Sequence, residues 1–444
     1  MPEQARKLEA WIRFGQPLDP VIDDYPRIFD AWEVLGIRGI VVGRMLVRDD
    51  AGRNQDIFEP DPAVYRRLAV EPPPRPTQNF SEKRRKLDRL FANAKRRGWT
   101  IFIFRPDAGY GPSDQDKFAR FANPNRWAAR ALDTLAHFPE ADGGIIDWHE
   151  WGFEIAAGHR SNIFNDLPET VRPLAESMHY DWNGLTAAGR RLEERLHKLD
   201  DKVVDTYAGR GFFGSYQMLG FDSGLGDWLR FRTEVITGTV KMLKGLMSEQ
   251  RSGLQLGIGP RSAVFTPLCG YDLPQLVRYA DHLHPKHYFW HRGIDGLYGT
   301  VYRWLTTLRA WNPGLSERAA FDVIEMLLGV RLPEVETALD FERGFPDAFF
   351  SEVAEHATKA VLAAVERPEQ VIPWVDVGLR PHGGDPMGSG DFIRILEASR
   401  RAGLRRFLYH GYDHLTAAEM EVIRALCGDE TRALPEGFEL PRSR

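Results

Sequence analysis

The sequence predicts an α/β fold of the (β/α)₈ type, a TIM-type barrel with helical insertions. Short apolar runs that end at Gly, Pro or Asp alternate with longer amphipathic stretches, which is the pattern of successive βα units. The length of 444 residues suits a barrel that carries insertions. A hydrophobic fraction of 43% is enough to bury a sizeable core.

Seven runs are predicted to be barrel strands, and an eighth candidate has a less regular pattern. The seven are 36–43, 100–104, 143–147, 254–259, 281–288, 371–376 and 406–410, and the eighth candidate is 212–217. Helical stretches separate most of them, at 81–97, 124–137, 227–249, 273–279 and 417–426. Strands separated by helices pair in parallel, so eight such units are expected to close a barrel.

The domain organisation is predicted from the spacing of these runs. We expect one barrel domain over 1–444, with insertions near 155–225 and 305–350, because these intervals are too long for simple loops.

The composition limits which classes of binding partner and which cell compartment are expected. The net charge of −5 comes without a basic stripe, which argues against nucleic acid. The two cysteines and the lack of a long apolar run favour a cytoplasmic protein that does not enter a membrane.

Polar residues at the carboxyl ends of barrel strands face the active site, so these positions give the candidate site. The strand ends hold Arg44, Arg105, Asp107, Asp147, His149, Glu150, Glu154, Arg261, His287, Tyr288, Asp376, Tyr409, His410 and Asp413. An unpaired charge is costly to bury behind an apolar strand. The set as a whole therefore indicates function, although single members can be ion pairs that serve the fold.

The densest part of this set is the segment 142–154, in which an apolar strand ends in carboxylates, an imidazole and two tryptophans. Asp147 and Glu150 lie near its centre. Two carboxylates beside one bond can act as general acid and as nucleophile or base, because their surroundings push their pKa values apart. Flat indole rings suit sugar rings. The segment therefore favours carbohydrate chemistry.

This passage resembles the fourth strand of barrel glycoside hydrolases, with an echo of the chitinase-type signature that runs from Asp-Gly through apolar residues to Asp-x-Glu. Here the end is Asp147-Trp148-His149-Glu150, one residue longer, and Ile145 stands where the signature has an intermediate acid. A wider similarity to barrel families grouped with glycoside hydrolases covers roughly 140–290. The resemblance implies a hydrolase that cleaves a glycosidic bond and binds a carbohydrate substrate.

On this interpretation Asp147 and Glu150 are the candidate catalytic residues, and Asp376 is an alternative partner from across the barrel. Arg44, Arg105, His287, Tyr288 and His410 are expected to orient hydroxyl groups, Trp148, Trp151, Trp290 and Trp374 to stack on sugar rings, and His149, Glu154 and Asp413 to complete the binding site. No cofactor and no metal are expected. The oligomeric state and the stereochemical course are left open.

Two other functions remain open. The histidines at 282, 284, 287 and 291, together with Asp147, His149, Asp376, His410 and Asp413, could hold zinc or manganese in a metal-dependent isomerase or hydrolase barrel. The chain could also be a carbohydrate-binding barrel without turnover. Metal analysis of the protein separates the first function from glycoside hydrolysis, and sugar binding without product separates the second.

Overall fold

The computed structural model describes residues 7–15, 19–109, 117–147, 149–290, 295–377, 387–436 and 438. Within these ranges eight parallel strands form the centre of the fold. They are β1 (Glu9–Phe14), β2 (Ile37–Val42), β3 (Thr100–Phe104), β4 (Gly143–Ile146), β5 (Gln255–Ile258), β6 (His282–Leu283 and Lys286–His287, interrupted at Pro285), β7 (Trp374–Val375) and β8 (Arg406–Tyr409).

Each strand pairs in parallel with its neighbours in the chain, and the sheet closes on itself. Strand β1 pairs with β2 on one side and with β8 on the other. The first segment of β6 pairs with β5, and the second pairs with β7. Leu283 in the first segment also bridges Val371 just before β7. Because the pairing returns to its start, the predicted (β/α)₈ barrel is confirmed.

The eighth strand is not where the sequence suggested. Residues 212–217 lie in the helix Gly211–Leu219, which ends at Gly220 with a left-handed φ of 59°. The aromatic rings of this run are exposed to solvent, so they give no buried strand face. The missing strand is β1, whose inward positions alternate between polar and apolar side chains. Glu9, Trp11 and Arg13 occupy them, and the Trp11 indole N–H donates to Glu9 at 2.8 Å.

Helices cover the outside of the barrel. The longer ones are Asp19–Val34, Ser81–Arg96, Pro124–His137, Ser223–Gln250, Leu297–Trp311, Glu317–Leu328, Ser389–Arg401 and Ala417–Cys427. Those predicted at 81–97, 124–137, 227–249 and 417–426 are confirmed, and the stretch 273–279 forms only the short helix Leu273–Leu276. Polar caps fix several starts. The Asn123 side chain accepts from the Arg126 backbone N–H, and Asp222 accepts from Leu225.

The intervals predicted as insertions are helical. Between β4 and β5 lie Arg172–Ser177, Trp182–Leu196, Asp201–Tyr207 and Gly211–Leu219, in addition to Ser223–Gln250. Between β6 and β7 lie Leu297–Trp311, Glu317–Leu328 and Glu355–Leu362. That they are insertions into one domain stays a prediction. No helix in the described ranges is long and apolar enough to cross a membrane.

The barrel interior is filled by large rings below the carboxyl end. Trp11 from β1 packs against Phe102 from β3 with ring centroids 5.5 Å apart. His284 lies between Trp11 and Trp374, at 6.5 and 6.3 Å from their rings. All four side chains are buried. Their packing fills the interior below the charged groups that lie at the carboxyl end of the barrel.

Backbone spacing between β4 and β5 requires glycine at position 143. A Cβ there would lie 1.9 Å from the carbonyl oxygen of Gln255. We expect Gly143→Ala to lower the free energy of unfolding by at least the roughly 1–3 kcal/mol typical of overpacking. Gly238→Ala is the matched control, since a Cβ at Gly238 meets nothing within 4 Å and a helical Ala is favoured by about 1 kcal/mol. Urea unfolding of both variants checks this, and equal stabilities would contradict it.

Candidate active site

A buried ion pair lies at the centre of the carboxyl end of the barrel. Asp147 follows β4, Lys286 belongs to β6, and the Lys286 Nζ lies 2.9 Å from the Asp147 Oδ1. Both residues are less than a tenth exposed. Burial by itself raises the pKa of Asp147, but Lys286, Arg261 and Arg105 lower it more, and the pKa lies below its usual value. The Asp147 carboxylate is therefore ionised inside the protein.

Lys286 is a site residue that the sequence analysis missed, although the alternation of side chains along a strand could have identified it. Side chains alternate along a strand, so His282 and His284 share one face of β6, and that face points into the barrel, toward Trp11. Continuing the alternation puts Lys286 and Tyr288 on the same inward face. The alternation of side chains that places these histidines inside the barrel therefore also places Lys286 there.

The opposite face of β6 carries His287, which lies behind the barrel wall. Its Nε2 is 2.9 Å from the Thr358 hydroxyl oxygen on the helix Glu355–Leu362. Burial lowers the pKa of His287 to about 4, so the ring is neutral. The structure therefore gives His287 a packing partner between strand and helix, away from the Asp147–Lys286 pair.

A second ionic group involves Glu150. Its Oε1 forms an ion pair with Arg261, and the Arg261 Nη1 lies 2.6 Å from the Asp295 Oδ1. All three residues are at most 5% exposed on their side chains. Burial lowers the pKa of Arg261, but Asp295 and Glu150 raise it well above its usual value. Arg261 thus links two carboxylates, and Glu150 is held by it.

A third group is centred on Asp376, which directly follows β7 and is fully buried. Its Oδ2 lies 3.1 Å from the His410 Nδ1 and 3.6 Å from the His414 Nδ1. Burial raises the pKa of Asp376, yet its hydrogen bonds and charge interactions with the two histidines lower it far below its usual value. His414 is a second residue that the sequence analysis did not identify.

Arg13 completes this third group and was missed together with strand β1. Its Nη1 lies 3.3 Å from the His410 Nε2 and donates to the His410 carbonyl oxygen at 3.4 Å. The guanidinium also lies over the Phe104 ring, 4.4 Å from its centroid. Because a guanidinium only donates, His410 accepts through Nε2 and donates through Nδ1 to Asp376.

Tyr288 and Trp374 lie between the Asp147 and Asp376 groups. Burial, followed by the negative charges of Asp376 and Asp147, raises the pKa of Tyr288 well above its usual value, so its hydroxyl keeps its proton. The Trp374 ring lies 5.4 Å from that of His410. A Cβ built at Gly259 would lie 2.9 Å from the Asp147 Oδ1 and 3.4 Å from the Trp374 Nε1, so glycine at this position leaves room for both side chains.

Among the buried polar atoms of this region that have no hydrogen-bond partner within the described residues, three bear on ligand binding. They are the Trp374 Nε1, the Asp376 Oδ1 and the Glu150 Oε2. Buried polar groups in proteins are nearly always hydrogen-bonded, so such atoms need an explanation. Their position at the carboxyl ends of strands, where barrels bind ligands, indicates a ligand site.

Arg105 and His149 support Asp147 from the side. Arg105 has a left-handed φ of 50°, and its Nη2 lies 3.5 Å from the Asp107 Oδ2. Arg120 donates to the Asp147 carbonyl oxygen at 3.0 Å. Burial, with the nearby Arg120 charge, lowers the pKa of His149 to about 3. This buried cluster fixes the backbone and the charge environment of Asp147.

Several predicted binding residues lie elsewhere. Trp151 is fully enclosed, and its indole N–H donates to the Arg232 carbonyl oxygen at 2.8 Å. Glu154 is also fully buried and pairs with Arg303. Trp290 is enclosed too, but it stacks behind Tyr288 at 4.5 Å and so supports the site.

Three further residues were predicted to bind the substrate, namely Arg44, Trp148 and Asp413. Arg44 follows β2 and is partly buried. Trp148 lies outside the described residues. Asp413 has its backbone in the turn Tyr412–His414, and its side chain lies outside the description. Of the histidines considered for a metal, His282 and His284 share the barrel interior with ring centroids 6.2 Å apart, whereas His287 lies behind the barrel wall, and position 291 lies outside the described residues.

We expect Lys286→Met to destabilise the fold in a pH-dependent way. Breaking a buried ion pair costs about 3–5 kcal/mol of unfolding free energy. The wild-type pairing stabilises the fold above the unfolded-state pKa of Asp147 and is lost as the pH falls through its lowered folded-state pKa. Without Lys286 the buried Asp147 is easier to protonate, so the difference from wild type should be largest at neutral pH and shrink on acidification.

Denaturant unfolding between neutral and acidic pH measures this difference. The control is Lys86→Met, which removes a partner from the solvent-exposed Lys86–Asp23 pair and should change stability little at any pH. A Lys286→Met protein as stable as wild type at neutral pH would contradict the buried pair.

Solved structures share this fold. The PgaB (BpsB) glycoside hydrolase domain from Bordetella bronchiseptica matches with a TM-score of 0.50 and 10% identity, over 95% of this chain and 99% of that one. A β-galactosidase from the Antarctic haloarchaeon Halorubrum lacusprofundi has a TM-score of 0.49 and 11% identity, over 94% of this chain and 57% of that one. A GH18 chitinase from Pseudoalteromonas aurantia has a TM-score of 0.40 and 10% identity, over 94% and 98%.

Neither a protein-family model nor a curated protein sequence matches this chain. At 10% identity, the similarity to the PgaB domain shows the fold alone. The chain therefore has a TIM-type barrel of the kind found in glycoside hydrolases, as the resemblance of its fourth strand predicted.

Proposed function

We propose that this protein is a glycoside hydrolase that acts on a carbohydrate at the carboxyl end of its barrel. The observation that carries the proposal is that two ionised, buried carboxylates at the carboxyl end of the barrel, Asp147 and Asp376, both act on the hydroxyl of Tyr288. Glycoside hydrolysis requires a nucleophile or base on one side of the bond and a proton donor for the leaving oxygen on the other, and here the donor is an imidazole beside Asp376. The fold shared with the PgaB glycoside hydrolase domain agrees with this chemistry.

Asp147 acts as the nucleophile or the base. Lys286 keeps the carboxylate ionised, and Arg120 fixes the backbone from which it projects. The flanking cations also place a positive field beside the carboxylate, so it accumulates as an anion at neutral pH. Such a group can attack the anomeric carbon directly or take a proton from a water that does so.

Asp376 is the partner of Asp147 in this proposal, in preference to Glu150. Glu150 is engaged by Arg261, which also binds Asp295 and forms one wall of the site. Asp376 contacts two imidazoles, and His414 among them is 30% exposed on its side chain. Imidazoles that can carry a proton beside a carboxylate suit delivery of a proton to the leaving oxygen.

The sugar is bound by hydrogen bonds in this proposal. The Trp374 indole N–H and the second oxygens of Asp376 and Glu150 have no partner among the described residues, so hydroxyl groups can bond to them. Tyr288 keeps its hydroxyl proton and can donate. His287, Trp151 and Glu154 are not assigned to substrate, because each already has a protein partner.

Hydrolysis of a panel of 4-nitrophenyl glycosides tests the proposal. We expect at least one to be cleaved by wild type, and Asp147→Asn to lower kcat/KM by about 10²-fold or more, as loss of an acid–base or nucleophilic group does. Asp142→Asn is the matched control, since Asp142 precedes β4 at the opposite end of the barrel and pairs with Lys95 at 2.6 Å. Full activity of Asp147→Asn would contradict the assignment.

Comparison of two further variants tests the pairing. We expect Asp376→Asn to lose as much kcat/KM as Asp147→Asn, and Glu150→Gln to act mainly through stability because Arg261 loses one of its two carboxylate partners. The measurement is kcat/KM on the cleaved glycoside beside the melting temperature of each variant. Loss of activity in Glu150→Gln with an unchanged melting temperature would instead pair Asp147 with Glu150. Sugar binding without turnover by wild type would favour a carbohydrate-binding barrel.

A further inference from the structure

One cluster of metal-type ligands occurs in the part of the chain that the structure describes. Asp376, His410 and His414 each offer a ligand atom, and these atoms all lie within 4.8 Å of one another. We infer that this cluster is a binding site for a divalent transition metal, with Zn²⁺ and Mn²⁺ as the best candidates. The inference concerns metal binding by itself and does not depend on glycosidase activity.

The geometry supports binding from three elements around one point. Asp376 follows β7, His410 follows β8, and His414 lies on the turn Tyr412–His414 after β8. Both imidazole Nδ1 atoms face the same carboxylate oxygen, at 3.1 and 3.6 Å. An ion among these three atoms would replace the N–H to carboxylate bonds. The cluster therefore needs only small movements to become a ligand set.

The donor chemistry is of the right kind. Imidazole nitrogen and carboxylate oxygen together suit Zn²⁺ and Mn²⁺, and two histidines with one carboxylate leave coordination positions open. Asp376 brings a full negative charge and a second oxygen, Oδ1, without a hydrogen-bond partner among the described residues. Asp376 is fully buried, whereas the side chain of His414 is 30% exposed. An ion can thus enter from the His414 side.

Arg13 competes with the metal. In the structure its guanidinium lies 3.3 Å from the His410 Nε2. When the Nδ1 of a neutral imidazole binds a metal, its Nε2 carries the proton and must donate. Arg13 cannot accept that hydrogen bond and adds a second positive charge, so it has to withdraw before the ion binds. Arg13 therefore lowers the metal affinity, and its replacement should raise it.

Isothermal titration of the chelator-treated full-length protein with ZnCl₂ and, separately, MnCl₂ tests the site. We expect one equivalent of at least one ion to bind per chain. His414→Gln and Asp376→Asn should weaken binding by more than about 100-fold, the upper end for loss of even an outer-shell partner. His197→Gln is the control for a surface histidine, because His197 is the C-cap of the helix Trp182–Leu196 and stacks on Trp311. This variant should bind the metal as wild type does.

The Arg13→Gln variant gives a second, opposite readout. The Gln amide oxygen can accept from the His410 Nε2–H, so we expect tighter binding by about 10–100-fold. Circular dichroism of every metal-free variant separates loss of the site from loss of the fold. Absence of stoichiometric binding by wild type, or binding by His414→Gln at wild-type affinity, would overturn the site. Weaker binding by Arg13→Gln would overturn the role of Arg13. Each result is independent of whether any glycoside is cleaved.

Discussion

The ion pair between Lys286 and Asp147 is the interaction on which the arrangement of the site depends. Both groups are buried above a solid barrel interior, where neither charge is stable alone. The pair can form only if β4 and β6 each direct one side chain toward the barrel axis, and both side chains lie at the same height. Gly259 on the strand between them leaves the space that this approach needs. The strand positions that close the barrel therefore also bring these two charges together.

The other charges at this end of the barrel follow the same rule. Glu150 is matched by Arg261 and Asp295, and Asp376 is matched by His410 and His414. The Glu150 group and the Asp376 group differ in the kind of cationic side chain that pairs with the carboxylate. A guanidinium always keeps its charge, whereas an imidazole can gain or lose a proton or bind a metal. The Asp376 group is thus the adjustable side of the site, opposite an Asp147 that Lys286 keeps ionised.

Much of the fold and part of the site could be predicted from the sequence. Seven apolar runs bounded by Gly, Pro or Asp gave seven strands, because parallel barrel strands are buried on both faces. Strand β1 was not predicted because Glu9 and Arg13 interrupt its apolar run. The partners that let them face inward, Arg406 and His410, become neighbours only in the fold. The run 212–217 was misleading because exposed aromatic residues look like a buried strand when only composition is considered.

Some residues of the site could likewise be predicted from the sequence, and others could not. Asp147, Glu150 and Asp376 were found because they directly follow strands. Lys286 required the side-chain direction along β6, and His414 required the turn after β8, which brings it to Asp376. Trp151 and Glu154 were chosen for their chemistry, but their partners Arg232 and Arg303 lie on helices distant in sequence. Pairings of this kind depend on tertiary structure and leave no mark on local sequence.

The central claim is that Asp147 and Asp376 are both ionised within the folded protein. Carboxyl-carbon NMR of protein labelled at aspartate, with Asp147→Asn and Asp376→Asn to assign the signals, measures this directly across an acid titration. Both signals should keep the chemical shift of the ionised form until the pH is below the usual range of an aspartate pKa. Titration of either carboxyl at or above that range would contradict it.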